Sequence, residues 1–166
     1  METDLAALAA RVQRLEDLDA VRATVHDYCN CLDRGDFADL ADVFTEDAEL
    51  ELMGLARSVD GTYRSRGSII DDFYARTADP SSHRFMTGHI TTNLQIDLDG
   101  DTATTLGYFF EIVDGLLLIG IYQHRLRREP DRWRLAFLRI AIRYRSRLEA
   151  SGPGGLTMAE VVARAV

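Results

Sequence analysis

The residue in this sequence with the clearest capacity for acid–base chemistry is His89. It precedes a segment in which polar and apolar residues alternate, "TTNLQIDLDG". Such alternation is typical of a β-strand, and strands of small soluble proteins have little structural need of a histidine. A neutral imidazole, with a pKa of about 6.5, can accept a proton at neutral pH. A histidine at a strand end can also be solvated or make one structural hydrogen bond, so its position alone leaves both roles open.

The elements that position His89 begin with a helical stretch at the start of the chain. Apolar residues recur there every three or four positions, which predicts one long helix or two helices joined near residues 16–19. Gly35 supplies a left-handed stop, and Asp36 can cap a second, short helix over "FADLADVF". A third short helix is predicted at "SIIDDFYARTA", ending before Pro80.

The second half of the chain is predicted to form a β-sheet, because the hydrophobic period changes to two residues. Strands are predicted at "AELELM", at "TTNLQIDLDG", and at about residues 102–113, 116–128 and 133–145. The connections "DLDGD", "VDG" and "REPDR" are short turns of the hairpin kind. Helices followed by an antiparallel meander predict an α+β domain. We expect a cone in which helices pack on one curved antiparallel sheet around a single apolar pocket.

The composition is typical of one globular domain, with 46% hydrophobic and 28% charged residues in a chain of 166. We expect this domain to span residues 1–148. A linker at "ASGPGG" and a short helix would then occupy residues 149–166 and cover the pocket or a partner subunit. No apolar run approaches the ~20 residues of a membrane span, and the acidic N-terminus is unlike a signal peptide. These features predict a cytoplasmic protein with no membrane partner.

Arginine is concentrated near the end of the chain, which contains no lysine. Nine arginines lie between Arg125 and Arg147, whereas residues 1–124 carry 23 of the 27 acidic residues. This segment could bind nucleic acid, or its arginines could face outward from two strands and be neutralised by acids of the N-terminal half. A net charge of −8 disfavours attraction to phosphate, so we expect no nucleic-acid partner.

Three stretches of the sequence share the pattern of a known family. "LEDLDAVRATVHDYCNCLDRGDFADLADVFTEDAEL" contains a helix ending in Y-x4-D-x-G-D, a short helix, and F-T-x-D-A. "GHITTNLQIDLDGDTATTLGYF" contains H-x3-N and a D-G-D turn, and "YQHRLRREPDRWRL" a hairpin ending at tryptophan. Over about residues 12–145 the chain resembles the SnoaL-like branch of the NTF2-like superfamily. The resemblance implies a cone-shaped α+β fold. It does not imply one reaction, because the superfamily includes lyases, isomerases, cyclases, epoxide hydrolases and non-catalytic subunits.

The resemblance also implies roles for three residues. His89 and Asp33 occupy the positions of a His–Asp pair in scytalone dehydratase, bile-acid dehydratase and hexachlorocyclohexane dehydrochlorinase. His89 would be the general base, and Asp33 would orient the imidazole and stabilise its protonated form. Tyr28 would donate a hydrogen bond to a leaving oxygen or a carbonyl. Asp33 could instead serve only as a helix end and turn, and Tyr28 could be a core tyrosine.

Further residues are expected at the substrate because of their alignment with the family or their strand face. They are Glu111, Tyr122, His124, Tyr63 and Arg139, and His83 is an alternative base. Glu111 could equally pair with an arginine. Cys29 and Cys31 lie too close for an unstrained disulfide and are expected to be ordinary, partly buried thiols. The sequence has no metal-binding spacing and no phosphate loop, so no metal and no cofactor are expected.

The function that these features favour is a cofactor-independent lyase, a dehydratase-type enzyme acting on a small, apolar, ring-containing substrate. An isomerase or polyketide cyclase would begin with the same removal of a C–H proton. A non-catalytic module is the third interpretation, either a small-ligand binder or a protein like the small subunit of ring-hydroxylating dioxygenases. A homodimer or homotrimer is expected, because Leu117, Ile119 and Ile121 would leave one face of the sheet apolar.

Overall fold

The computed structural model describes residues 5–77, 88–113 and 115–148. Its helical elements are α1 (Leu5–Arg34), α2 (Phe37–Val43), a π-helical segment (Ser68–Tyr74) and α3 (Ala75–Thr77). Its strands are β1 (Phe44–Met53), β2 (Gly61–Arg64), β3 (Ile90–Asp99), β4 (Thr102–Val113), β5 (Leu116–Arg128) and β6 (Trp133–Arg147). The linker and short helix expected after residue 148, and the candidate base His83, lie outside the described residues.

The start of the chain forms one long helix, not two. Apolar residues near its beginning, such as Leu5 and Leu15, remain exposed, and burial begins at Asp17. Gly35, with φ of 69°, ends the helix as predicted, since its left-handed conformation lets the following amides reach the last carbonyls of α1. The Asp36 carboxylate then accepts a hydrogen bond from the amide of Asp39 and caps α2, also as predicted.

The sheet has six strands in the order β2-β1-β6-β5-β4-β3. The meander β3–β6 is antiparallel, as the short turns predicted. β1 pairs parallel with β6, so the sheet is mixed and differs from the wholly antiparallel sheet we expected. The difference arises because β1 is separated in the chain from its neighbour β6 by the whole meander, so no hairpin turn fixes their direction. The strand β2 was missed because "GTYR" is too short to show a period.

The arginines of the last two strands pair with acids from the first half of the chain. Arg127 contacts Asp47 at 2.9 Å, and Arg134 contacts Asp42 at 2.7 Å. Arg128 contacts Asp17 of α1 at 2.6 Å. These ion pairs tie α1, α2 and β1 to the meander, and acids of the N-terminal half thereby neutralise part of this segment. No helix among the described residues is long and apolar enough to cross a membrane.

The inner face of the sheet packs against the helices and carries most of the core. Gly120 lies on this face, and a Cβ there would sit 2.4 Å from the carbonyl oxygen of Ala141 and 2.6 Å from the ring of Phe109. The glycine therefore lets the Phe109 ring cross β5 and stack on Tyr122, with 4.1 Å between ring centroids. This stack forms one wall of the space between sheet and helices.

Candidate active site

A cavity of about 350 Å³ lies between the inner face of the sheet, α1 and the π-helical segment. Most of its lining is apolar, including Leu52, Phe73, Phe109, Leu118, Ile140 and Ile142. Polar side chains reach it at few points, which is typical of a small-molecule site. They are Tyr28, Tyr74, Thr77, His89, Glu111, Tyr122 and Arg147.

Asp33 binds both the backbone and the side chain of His89. The backbone amide of His89 donates to the Asp33 carboxylate at 2.9 and 3.1 Å, and Nδ1 lies 2.5 Å from Oδ1. Gly88, with φ of 87°, turns the chain so that the amide and ring face one carboxylate. A Cβ at Gly88 would lie 3.1 Å from Asp33 Oδ2, so the glycine also leaves room for the carboxylate. The end of α1 thereby fixes the orientation of the imidazole.

Glu111 binds the other ring nitrogen of His89. It projects from the inner face of β4, and its Oε2 contacts Nε2. The His89 side chain is only 6% exposed and that of Glu111 13% exposed. We call Asp33, His89 and Glu111 the carboxylate–histidine triad. The sequence placed Glu111 near the substrate or beside an arginine, and gave no signal that it would pair with His89.

The triad controls the protonation of its histidine. Burial alone disfavours the charged imidazolium, but the hydrogen bonds and negative charges of Asp33 and Glu111 outweigh it and raise the pKa of His89 to about 9. At neutral pH the imidazole therefore carries a proton on each nitrogen, one facing each carboxylate. The proton on Nε2 of His89 lies at the cavity wall and faces the Glu111 carboxylate.

Three tyrosines form the second polar feature of the cavity. The hydroxyls of Tyr28 and Tyr74 lie 2.7 Å apart, and the ring of Tyr28 meets that of Tyr122 edge-on at 5.7 Å. Burial raises the pKa of all three phenols, so they remain protonated hydrogen-bond donors. Because the two hydroxyls share one hydrogen bond, one phenolic proton is left to donate elsewhere. Tyr74 was missed by the sequence analysis, since no motif marks the π-helical segment.

Three of the expected substrate residues do not line this cavity: Arg139, Tyr63 and His124. Arg139 lies on the outer face, bound to Glu51 at 2.7 Å, because the neighbouring Ile140 takes the inward position. The hydroxyl of Tyr63 donates to the Val59 carbonyl at 2.7 Å.

His124 is buried behind Tyr122, and its Nδ1 lies 2.6 Å from the Thr105 hydroxyl. Burial lowers its pKa to about 3, so it is neutral. Cys29 and Cys31 are buried and unpaired. Among the described residues no group of three or more His, Cys, Asp or Glu side chains could hold a metal ion.

The fold is a cone-shaped α+β fold with an apolar cavity between its sheet and its helices. A family model described as a SnoaL-like domain matches residues 13–139, and the chain belongs to this family. A search of curated protein sequences found no significant match.

Solved structures with the same fold agree with this assignment. A hexachlorocyclohexane dehydrochlorinase (LinA) type 2 is 20% identical, with a TM-score of 0.70 over 87% of this chain and 99% of that one. An NTF2-like protein with a cystatin-like fold from Novosphingobium aromaticivorans is 25% identical, with a TM-score of 0.68 over 98% and 97%. Rv3472 of Mycobacterium tuberculosis, a protein of unknown function, is 26% identical, with a TM-score of 0.64 over 91% and 85%. These likenesses establish the NTF2-like α+β fold.

The raised pKa of His89 predicts a loss of stability at alkaline pH. Its stabilising contribution is fully present below the unfolded-state pKa of 6.5 and disappears as pH rises through about 9. Each pKa unit corresponds to about 1.4 kcal/mol, so the free energy of unfolding should fall by a few kcal/mol across this interval. Urea unfolding at a series of pH values measures it.

His89→Gln should remove most of this alkaline decrease in the free energy of unfolding. His26→Gln, which changes an exposed histidine of α1, should retain it. A wild-type protein whose stability is the same at both ends of the interval would contradict the charged state we assign to His89.

Proposed function

We propose that the protein is a cofactor-independent lyase that eliminates water from a small, largely apolar, ring-containing substrate. One observation carries the proposal: a nearly buried imidazole at the wall of an apolar cavity, with a carboxylate on each ring nitrogen. Asp33 orients the ring, as the family resemblance implies. Glu111 adds a second proton-carrying group beside the base. This group can protonate a departing hydroxyl, which favours elimination of water.

The protonated histidine cannot itself accept a proton, so the proton on Nε2 must first move. Glu111 Oε2 contacts Nε2 and can take that proton. His89 then becomes the neutral base and Glu111 the neutral acid. This exchange needs no proton from solvent, and the apolar lining keeps it local. His89 keeps its Nδ1 proton throughout and donates it in a hydrogen bond to Asp33.

The elimination then balances within the site. His89 Nε2 removes a proton from carbon, the C–H electron pair becomes the new double bond, and the C–O bond breaks. Glu111 delivers its proton to the departing hydroxyl, which leaves as water. His89 ends protonated and Glu111 ionised, which is the starting state. Hydroxide is a poor leaving group and needs this proton, whereas a halide does not, so Glu111 favours a dehydration. Positioned acid–base groups contribute ~10²–10⁴-fold to such a step.

The tyrosine pair supplies the remaining requirement, an acidic C–H bond. A proton on carbon is removed readily only next to a group that accepts the developing charge, such as a carbonyl. The free phenolic proton of the Tyr28–Tyr74 pair can donate to that carbonyl in the apolar cavity, where an oriented donor is most effective. The favoured substrate is therefore a cyclic β-hydroxy carbonyl compound.

Substitution of the base and the acid should separate their roles. With a panel of cyclic β-hydroxy ketones, His89→Gln should lower kcat/KM by roughly 10²–10⁴-fold. Glu111→Gln should lower it similarly for the alcohols and much less for the matching β-chloro ketones, because chloride leaves without a proton and because His89, without the Glu111 charge that raises its pKa, becomes a neutral base more readily. Rates are followed by mass spectrometry, with a product lighter by one water molecule for the alcohols and by one HCl for the chlorides.

The control for this experiment is His26→Gln, which should retain wild-type rates because His26 is exposed on α1 and remote from the cavity lining. A product of unchanged mass would identify an isomerase or cyclase using the same base. Wild-type turnover in His89→Gln would refute the proposal.

We also propose that the outer face of the sheet joins copies of the chain into a homodimer or homotrimer. Phe110, Ile119 and Tyr144 are cross-strand neighbours on this face and are 38%, 40% and 53% exposed. Tyr108 and Ile90 extend the same apolar patch. A contiguous apolar patch of this kind is typical of an association surface.

Light scattering at micromolar concentration tests this association. We expect an oligomer for the wild type and a monomer for Ile119→Glu, because a carboxylate would be buried in the contact. Thr104→Glu introduces the same charge at the polar end of the same face and should remain oligomeric. A monomeric wild type would contradict the proposal.

A further inference from the structure

Arg147 is a cationic side chain at the open end of the cavity. It is among the lining residues, pairs across strands with Leu116, and is itself exposed. His89, by contrast, is almost completely buried. The cavity therefore runs from a solvent-facing arginine to the triad. In the sequence, nothing distinguishes Arg147 from the other arginines of the last two strands.

Arg147 differs from the arginines at the opposite end of the last two strands. Arg127, Arg128 and Arg134 each form at least two contacts with carboxylates. The guanidinium of Arg147 makes no hydrogen bond or ion pair with any other residue in the ranges that the structure describes. Glu111 is the one carboxylate among the described lining residues, and it is bound to His89. Among the described residues, the positive charge thus lines an apolar cavity without a carboxylate partner of its own.

The strand register fixes the distance between the two ends of the cavity. Glu111 lies opposite Leu118, which lies opposite Arg145, so Arg147 is two strands away and two residues along. With strands about 4.8 Å apart and a rise of about 3.4 Å per residue, the Cα atoms of Glu111 and Arg147 are roughly 12 Å apart. Both residues line the same cavity, so the space above the sheet between them suits one compact ring system with a short chain.

We infer that the natural substrate carries a carboxylate on a short chain, and that Arg147 binds it at the cavity opening while the ring lies against the triad. This inference rests on the proposed function in one respect, namely that the ring end of the ligand is the end that reacts. Charge determines the orientation of the ligand, because a ligand carboxylate at the inner end of the cavity would be repelled by Asp33 and Glu111. A carboxylate suits a single planar guanidinium, which can bind both of its oxygens.

A matched pair of ligands tests the inference without requiring turnover. The probes are 2-naphthylacetate and its uncharged analogue 2-naphthylacetamide, with affinities measured by calorimetry. We expect the wild type to bind the acid about twofold to fivefold more tightly than the amide, as one ion pair at an exposed site allows. Arg147→Gln should abolish this preference and leave amide binding unchanged.

Arg143→Gln is the control, because it removes the same charge from the same strand at a residue outside the cavity lining. It should retain the preference for the acid. Failure of the wild type to bind either probe, equal affinity for both, or a preference that survives in Arg147→Gln would overturn the inference.

The outcome is independent of whether the triad is catalytic. His89→Gln should keep the Arg147-dependent preference, since the two groups lie at opposite ends of the cavity. If the protein prefers the acid probe but eliminates water from no substrate, the anion site at Arg147 stands and only the proposed function is refuted.

Discussion

An imidazole buried between two carboxylates is the interaction on which the arrangement of the whole site depends. Burial alone would make His89 neutral, and one carboxylate would suffice to orient it. Two carboxylates reverse the effect of burial and hold a proton on each nitrogen. The pairing brings together three elements that are distant in the chain: the end of α1, the residues before β3, and the inner face of β4. A displacement of any of these elements would change the protonation state of His89.

The rest of the fold can be understood as support for that pairing. Gly35 ends α1 two residues beyond Asp33, so the carboxylate lies at the helix terminus instead of on a continuing helix face. Gly88 turns the chain to present both the amide and the ring of His89. Gly120 lets Phe109 cross β5, which closes the cavity with aromatic and aliphatic surface. The apolar lining in turn makes the few polar contacts strong, because little water competes with them.

The sequence predicted those parts of the molecule that local pattern determines. Alternation of polar and apolar residues located β4 and β5 at their observed bounds, and turn residues located the end of α1 and the cap of α2. The pairing of β1 with β6 is non-local and carries no local signal. The family resemblance implied roles for His89, Asp33 and Tyr28 at one site, whereas the same alignment, with an offset of about one residue, placed Arg139 there although it faces outward. Glu111, Tyr74 and Arg147 contribute through where the fold places them, and no motif surrounds them.

The measurement that tests the central interaction most directly is an NMR titration of the His89 ring in the wild type, Asp33→Asn and Glu111→Gln. We expect the wild-type pKa to lie near 9, and each amide substitution to lower it, because each removes one of the two charges that oppose burial. Ring-nitrogen shifts should also show both nitrogens protonated at neutral pH in the wild type. A His89 pKa that is the same in all three proteins would show that neither carboxylate controls the imidazole, and the proton exchange with Glu111 would be excluded.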